Sequence, residues 1–146
     1  MNQEHLAIAS VPVQTLNTTL NPKEALLTGT VFPELNLPFF VEKELMNSTA
    51  INTDPEDERE EMMMKIQEIS FFLDDMRLFM DTHPDNQNGL ELLKTALKTR
   101  KELLKKFALQ FYPLTMDCMA EIYTENPSSD CYCWSKGPMP WEGACV

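Results

Sequence analysis

The sequence predicts a mainly α fold, in which an antiparallel helical hairpin is flanked by an irregular, proline-rich N-terminal arm and a C-terminal tail. Three observations lead to this prediction. Two adjoining runs have apolar residues at steps of three and four, which places those residues on one face only if each run is a helix. A His-Pro pair separates the runs, and their opposite net charges favour folding one back on the other.

The first long helix is expected over about residues 56–82. Its apolar stripe consists of Met62, Ile66, Ile69, Leu73, Met76 and Met80. Phe72 and Phe79 lie beside the stripe and widen it, and Thr53 or Asp54 is the expected N-cap. Two helices cannot bury so wide a stripe on each other alone. The flank formed by Phe72 and Phe79 therefore needs a cover, which can come from the rest of the chain, a second copy or a partner.

The second long helix is expected over about residues 85–112. His83 stands before a proline and is driven out of helical geometry, so the first helix should stop by Thr82. Pro84 is expected in the first turn of the second helix, where its missing N–H costs nothing, and Asp85 suits the positive end of that helix. The second stripe consists of Leu90, Leu93, Leu97, Leu104, Phe107 and Phe111, with Arg100 in its one polar position.

The charges of the two runs differ in sign. Residues 51–80 carry nine acids and three bases, whereas residues 81–112 carry four acids and six bases. The acids cluster early in the first helix and the bases late in the second, so an antiparallel hairpin brings the clusters together. Each exposed pair contributes only about 0.2–1 kcal/mol, so this pairing selects the arrangement and does not hold the fold.

The N-terminal arm, residues 1–50, is broken by four prolines. Residues 6–13 suit a short edge strand or an extended segment. Residues 21–29 predict one short helix, with Asn21 as cap, Pro22 in the first position, Glu24 in a capping box and Gly29 at the end. Residues 29–40 are apolar and aromatic but too short for a core of their own. They should lie in a groove, either on the same chain's hairpin or on a partner. Residues 47–58 are polar and suit a linker.

The C-terminal tail begins where Pro113 ends the second helix. Residues 114–123 fit one more short helix or a loop, and residues 126–130 have the composition of a turn. Trp134 and Trp141 stand among prolines, a combination that offers a large contact area at a low ordering cost. The tail should therefore dock, either within the monomer or on a partner.

Composition argues against several classes of function. A net charge of −11 is unfavourable for binding nucleic acid or an anionic membrane. No apolar run approaches the roughly 20 residues of a transmembrane helix, and the start of the chain lacks the basic region of a signal peptide, so we expect a cytosolic protein. The sequence shows no catalytic constellation, because its two histidines, His5 and His83, suit a chain terminus and a turn. We expect neither an enzyme nor a bound cofactor.

The four cysteines form the one candidate site for a metal. They are Cys118, Cys131, Cys133 and Cys145, all near the C-terminus. Four thiolates could hold zinc, but the spacing is not that of two Cys-x-x-Cys knuckles. Free or later cross-linked thiols are the alternative. A small cysteine-based metal-binding or redox protein is therefore the second hypothesis for function. A subunit that completes another chain's active site is the third.

Two sets of motifs resemble spore-coat families. The Asp-Thr-His-Pro-Asp block at 81–85, the Tyr-Pro-Leu-Thr block at 112–115 and the Trp-Ser-Lys-Gly-Pro-Met-Pro-Trp-Glu block at 134–142 resemble the CotJB family, over about residues 62–142. The Gly-Thr-Val-Phe-Pro-Glu-Leu block at 29–35, with its preceding segments, resembles the small CotJA family, over about residues 6–40. The chain thus looks like a fusion, with a CotJA-like arm at 1–50 and a CotJB-like hairpin and tail at 51–146.

The resemblance implies a structural, non-enzymatic component of the endospore coat, made in the mother-cell cytoplasm and then assembled into the coat. It also implies docking onto other coat proteins, among them one that resembles manganese catalase, and self-association is a further possibility. The expected partner contacts are bulky apolar residues and their neighbouring prolines. They are Phe32, Pro33, Leu35 and Phe39 in the arm, Phe72 and Phe79 on the first long helix, and Trp134, Pro140 and Trp141 in the tail.

Overall fold

The computed structural model describes residues 15–36, 55 and 57–139. Within these ranges the chain forms four α-helices and no strand, which confirms the mainly α prediction. The helices are α1 (Pro22–Thr28), α2 (Glu58–Thr82), α3 (Gln87–Gln110) and α4 (Met116–Glu125), with 3-10 turns at Pro33–Leu35 and Cys133–Lys136. The strand considered for residues 6–13 and most of the linker expected at 47–58 lie outside the described residues.

Helix α1 has the ends that its sequence predicts. The Asn21 side chain accepts the backbone N–H of Glu24 at 2.9 Å, and Pro22 is the first helical residue. Gly29 ends the helix with a φ of 82°, a left-handed conformation that glycine adopts without a steric penalty. The prediction of a short helix here is confirmed.

Helix α2 begins later than expected. Its N-cap is Asp57, whose carboxylate accepts the backbone N–H of Glu60 at 2.7 Å. The prediction of Thr53 or Asp54 as the cap is wrong, because the helix starts only at Glu58. An aspartate caps equally well at either position, so local preference alone could not distinguish Asp54 from Asp57.

A tight turn joins α2 to α3. The Asn86 N–H donates to the carbonyl oxygen of His83 at 3.1 Å, and Pro84 and Asp85 occupy the two middle positions. Asn86 then caps α3, since its side chain accepts the N–H of Gly89 at 2.9 Å. The prediction that Pro84 and Asp85 open α3 is therefore wrong. Proline suits the second position of a turn, and asparagine is among the strongest caps, so the turn takes Pro84 and Asp85 and leaves Asn86 to cap the helix.

Polar contacts confirm that α2 and α3 run antiparallel. At the open end of the hairpin, Gln110 Nε2 donates to Glu58 Oε1 at 2.8 Å. Nearer the turn, Arg100 Nε donates to Ser70 Oγ at 2.8 Å. Arg100 thus occupies the polar position that the sequence predicts, and it pairs with the hydroxyl on the facing helix.

The core consists of two clusters along the hairpin. The cluster near the turn also includes residues of the N-terminal arm, and it contains Ala25, Val31, Phe32, Ile69, Phe72, Leu73, Met76, Phe79 and Ala96. The cluster at the open end takes in α4, and it contains Met62, Ile66, Leu104, Phe107, Ala108 and Cys118. The predicted stripe of α2 is confirmed, with Met80 half-buried at its end.

The stripe of α3 needs one correction. Leu97, which the periodicity places in the core, is 52% exposed, and Ala96 is buried in its place. Successive residues of a helix point about 100° apart, so turning Ala96 toward α2 turns Leu97 away. Ala96 thereby packs in one cluster with Leu73 and Met76 of α2.

The basic end of α3 pairs with α4 more than with α2. Lys101 Nζ lies 3.3 Å from Glu121 Oε1, and Lys105 Nζ lies 3.5 Å from Glu121 Oε2 and 2.6 Å from Glu125 Oε1. The predicted pairing of α3 bases with α2 acids is thus largely replaced. Residues 114–123 fit a helix or a loop equally well from sequence, so the acids of α4 could not be placed opposite α3 in advance.

Candidate docking surfaces

Residues 15–36, called the N-terminal segment below, lie against the hairpin. Val31 is fully buried and Phe32 is 1% exposed. Asp75 of α2 holds the backbone here, because its Oδ2 accepts the N–H of Val31 at 2.7 Å and the Thr30 hydroxyl at 3.1 Å. The alternative in which the arm covers its own hairpin is therefore the one observed for these residues.

Three of the buried phenylalanines form the centre of this contact. The rings of Phe32 and Phe79 have centroids 5.2 Å apart, and Phe79 also stacks on His83 at 4.3 Å. Phe72 belongs to the same cluster. The sequence assigned Phe32, Phe72 and Phe79 to partner contacts. The structure buries all three in one cluster of the chain's own core, with the N-terminal segment covering α2.

The other arm residues that are expected to contact a partner differ in their exposure. Leu35 is half-buried and packs against the same cluster, whereas Pro33 is exposed. Phe39 lies outside the described residues. Among the described arm residues that the sequence assigns to partner contact, Pro33 is thus the exposed one.

The C-terminal tail docks on α4 and on the turn before it. The Tyr123 hydroxyl donates to the carbonyl oxygen of Cys131 at 3.1 Å and accepts the N–H of Cys133 at 3.3 Å. A hydrogen bond with the Cys133 thiol is the main reason that the pKa of Tyr123 is raised. Further along, a Cβ on Gly137 would lie 3.1 Å from the ring of Tyr112, so the tail passes directly over that ring.

This docked tail leaves large side chains in solvent. Trp134 is 42% exposed, Tyr132 60% and Met139 40%, and these three residues are named the C-terminal surface. Because the tail backbone is fixed at Tyr123 and Tyr112, these side chains are presented from a held position. Trp134, which the sequence assigns to partner contact, is thus on the surface, whereas Pro140 and Trp141 lie outside the described residues.

The cysteines of the described residues do not assemble. Cys118 is buried in the open-end cluster, where the Thr115 hydroxyl donates to its sulfur at 3.1 Å. Cys133 is buried under Tyr123 and Cys131 is exposed. In the part of the chain that the structure describes, no three cysteine, histidine or acidic side chains form a group that could hold a metal ion. Cys145 lies outside that part.

A cleft between α3 and α4 was not foreseen from the sequence. It has a volume of about 500 Å³, and its lining includes Leu97, Arg100, Cys118 and Glu121. Sequence reasoning missed it because the periodicity places Leu97 in the core and leaves α4 undecided. Glu121 on this wall is paired with lysines of α3, and those lysines lower its pKa.

Two family models match the chain. One, described as CotJB protein, matches residues 60–142, and the other, described as Spore coat associated protein JA (CotJA), matches residues 5–39. The chain is therefore a fusion of the two families, as the motifs indicated. No curated protein and no solved structure gave a match. Among the described residues, no helix is long and apolar enough to span a membrane.

Proposed function

The chain belongs to the CotJB family, and from this premise we propose that it is a structural, non-enzymatic component that docks onto other proteins of the spore coat. The CotJB and CotJA matches together identify it as a spore-coat associated protein. The docking role and the absence of catalysis are the parts that we propose.

The C-terminal surface is the observation that carries the docking role. Tryptophan and tyrosine supply much of the binding energy of protein interfaces, because they bury a large area while losing little conformational freedom. Here Trp134 and Tyr132 are exposed on a backbone that Tyr123 and Tyr112 already hold. A fixed backbone reduces the entropy lost on binding, so this surface is suited to docking.

The proposed partner is the coat protein that resembles manganese catalase, as the family resemblance implies. A second copy of this chain is the alternative occupant. The chain is proposed to meet its partner in the mother-cell cytoplasm and to enter the coat with it.

Co-expression with the catalase-like coat protein tests the proposal. Size exclusion with light scattering should give a stable complex for the natural chain. Trp134→Ala should lose it while keeping the circular dichroism of the natural chain. Leu27→Ala is the matched control, since Leu27 is 62% exposed on α1, away from the tail, and this variant should bind normally.

Two outcomes would contradict the proposal. In one, the natural chain stays a monodisperse monomer that ignores the partner. In the other, Trp134→Ala lowers the helical signal, which assigns Trp134 to the core. The non-enzymatic role has its own test, because a partner whose turnover depends on this chain would show that the chain completes an active site.

A further inference from the structure

The contact between the N-terminal segment and the hairpin joins two units that belong to different families. The CotJA match ends at residue 39 and the CotJB match begins at residue 60. The hydrogen bonds that Asp75 accepts from Thr30 and Val31 therefore join the CotJB unit to the CotJA unit. We propose that the hairpin carries a groove that holds the N-terminal segment without a covalent link, and that it accepts a CotJA-type segment from a separate chain.

The apolar side chains of the N-terminal segment are buried in the contact in the way that those of a bound ligand are. Ala25, Val31 and Phe32 are almost fully buried, and they belong to one cluster with Phe72 and Phe79 of α2. Fully burying a side chain as large as valine or phenylalanine is favourable by roughly as much as several exposed ion pairs. Such burial at the centre of a contact is typical of an anchor residue in a pocket.

The polar part of the contact fixes the position of the segment along α2. Asp75 accepts a backbone N–H, so this hydrogen bond depends on the position of the segment's backbone and not on the side chain of Val31. It also accepts the Thr30 hydroxyl, while the Thr30 oxygen accepts the N–H of Phe32 at 3.1 Å. Hydrogen bonds to a charged group contribute more than neutral ones, so Asp75 acts as the specific anchor.

The segment also holds its own shape. The Leu20 N–H donates to the carbonyl oxygen of Val31 at 2.9 Å, and the Thr15 N–H donates to Glu34 Oε1 at 3.2 Å. These bonds close the chain around α1 within residues 15–36. A ligand with internal hydrogen bonds loses less freedom when it binds, which favours association of a separate chain.

Under this proposal the covalent link raises the local concentration of the N-terminal segment near the groove. The contact itself does not depend on the link. Joining two binding units covalently gives an effective concentration of up to about millimolar. If the dissociation constant of the segment for the groove is below this effective concentration, the segment stays bound in the fused chain. The proposal requires that affinity to be high enough for the contact to survive without the link.

A cut in the full-length chain tests this requirement. A protease site is inserted between residues 41 and 50, the purified chain is cleaved, and the product is run on size exclusion with light scattering. The fragments should elute together at the mass of the uncut chain and keep its circular dichroism. Release of the short fragment overturns the proposal, whether the long fragment then stays folded or aggregates.

Two variants of the cleavable chain test the assigned anchor. Asp75→Ala should weaken retention of the short fragment about 10- to 100-fold. Asp74→Ala is the matched control, because Asp74 is exposed and lines a different face of α2, toward α3. Equal retention by the natural sequence and Asp75→Ala would overturn the role of Asp75. No coat partner is present, so the result is independent of the docking proposed for the C-terminal surface.

Discussion

The carboxylate of Asp75 accepts the backbone N–H of Val31 at 2.7 Å, and this hydrogen bond ties the N-terminal segment to the C-terminal half of α2. The same contact buries Phe32 against Phe79. The flank of the hairpin that two helices could not cover is thus covered by the chain itself. The surface that we propose for partners is the C-terminal surface, which lies on the docked tail.

Phe32→Ala should strongly destabilise the chain. The ring is 1% exposed, and removal of a buried phenylalanine costs about 3–5 kcal/mol through lost burial and the cavity left behind. Urea unfolding followed by circular dichroism measures the change. Leu27→Ala is the control and should change stability by less than about 0.5 kcal/mol. Unchanged stability in Phe32→Ala would return Phe32 to the partner contacts that its sequence suggested.

Gly89→Ala should destabilise the hairpin although alanine favours helices. A Cβ at this position would lie 2.8 Å from Met80 Sδ and 3.2 Å from Phe79 Cε1. The methionine can move, but the ring of Phe79 is held in the core. We expect a net loss of about 1 kcal/mol, the low end of the cost of overpacking.

Asn88→Ala is the control for that substitution, because it also raises helix propensity, at an exposed neighbouring position. Its unfolding midpoint in urea should match or exceed that of the natural chain. A stabilised Gly89→Ala variant would show that α2 and α3 are less tightly packed at the turn than the structure has them.

Glu121→Gln should lower stability at neutral pH but not in acid. Hydrogen bonding to Lys101, with a further contribution from Lys105, lowers the pKa of Glu121 from its ordinary value of 4.5. A lowered pKa means that the charged pair stabilises the fold above about pH 4.5, and that this contribution is lost as the pH falls through the folded-state pKa. Unfolding curves at several pH values should therefore converge for the two proteins in acid. A difference in stability between the two proteins that persists at low pH would show that the effect of Glu121→Gln does not come from the charge of Glu121.

Tyr123→Phe should loosen the tail. The hydroxyl bridges Cys131 and Cys133, and Cys133 is buried beneath it. Without the hydroxyl, the Cys133 thiol should react faster with a maleimide, as followed by mass spectrometry of the peptide that contains it. Tyr132→Phe is the control, since Tyr132 is 60% exposed, and it should leave the rate unchanged. Equal rates in both variants would mean that Tyr123 does not hold the tail.

Much of the fold could be predicted from the sequence because local rules determine it. The stripe of α2 follows from periodicity, and the ends of α1 follow from the preferences of Asn21 and Gly29. Where two local choices were equally good, the prediction failed. Thr53, Asp54 and Asp57 are all acceptable caps, and Pro84 suits both a turn and a first helical turn.

The candidate site was harder to predict because it depends on contacts between distant parts of the chain. Nothing local to Asp75 shows that its carboxylate will accept a backbone N–H from residue 31. For the same reason the flank of Phe72 and Phe79 could be recognised as needing a cover and residues 29–40 as needing a groove, but the contact of Phe32 with Phe79 could not be specified. The exposure of Trp134 could not be predicted either, because the sequence left docking of the tail within the monomer and on a partner equally open.

Amide hydrogen exchange of the full chain, alone and in complex with the catalase-like coat protein, tests most directly whether the chain covers its own hairpin and docks through its tail. We expect slow exchange around Val31 and Phe32 in both samples. We also expect residues 131–139 to become protected only in the complex. Fast exchange at Val31 and Phe32 in the lone chain that slows when the partner binds would contradict the first expectation, since the partner would then be covering the hairpin in place of the chain's own N-terminal segment. Unchanged exchange of residues 131–139 in the complex would contradict the second.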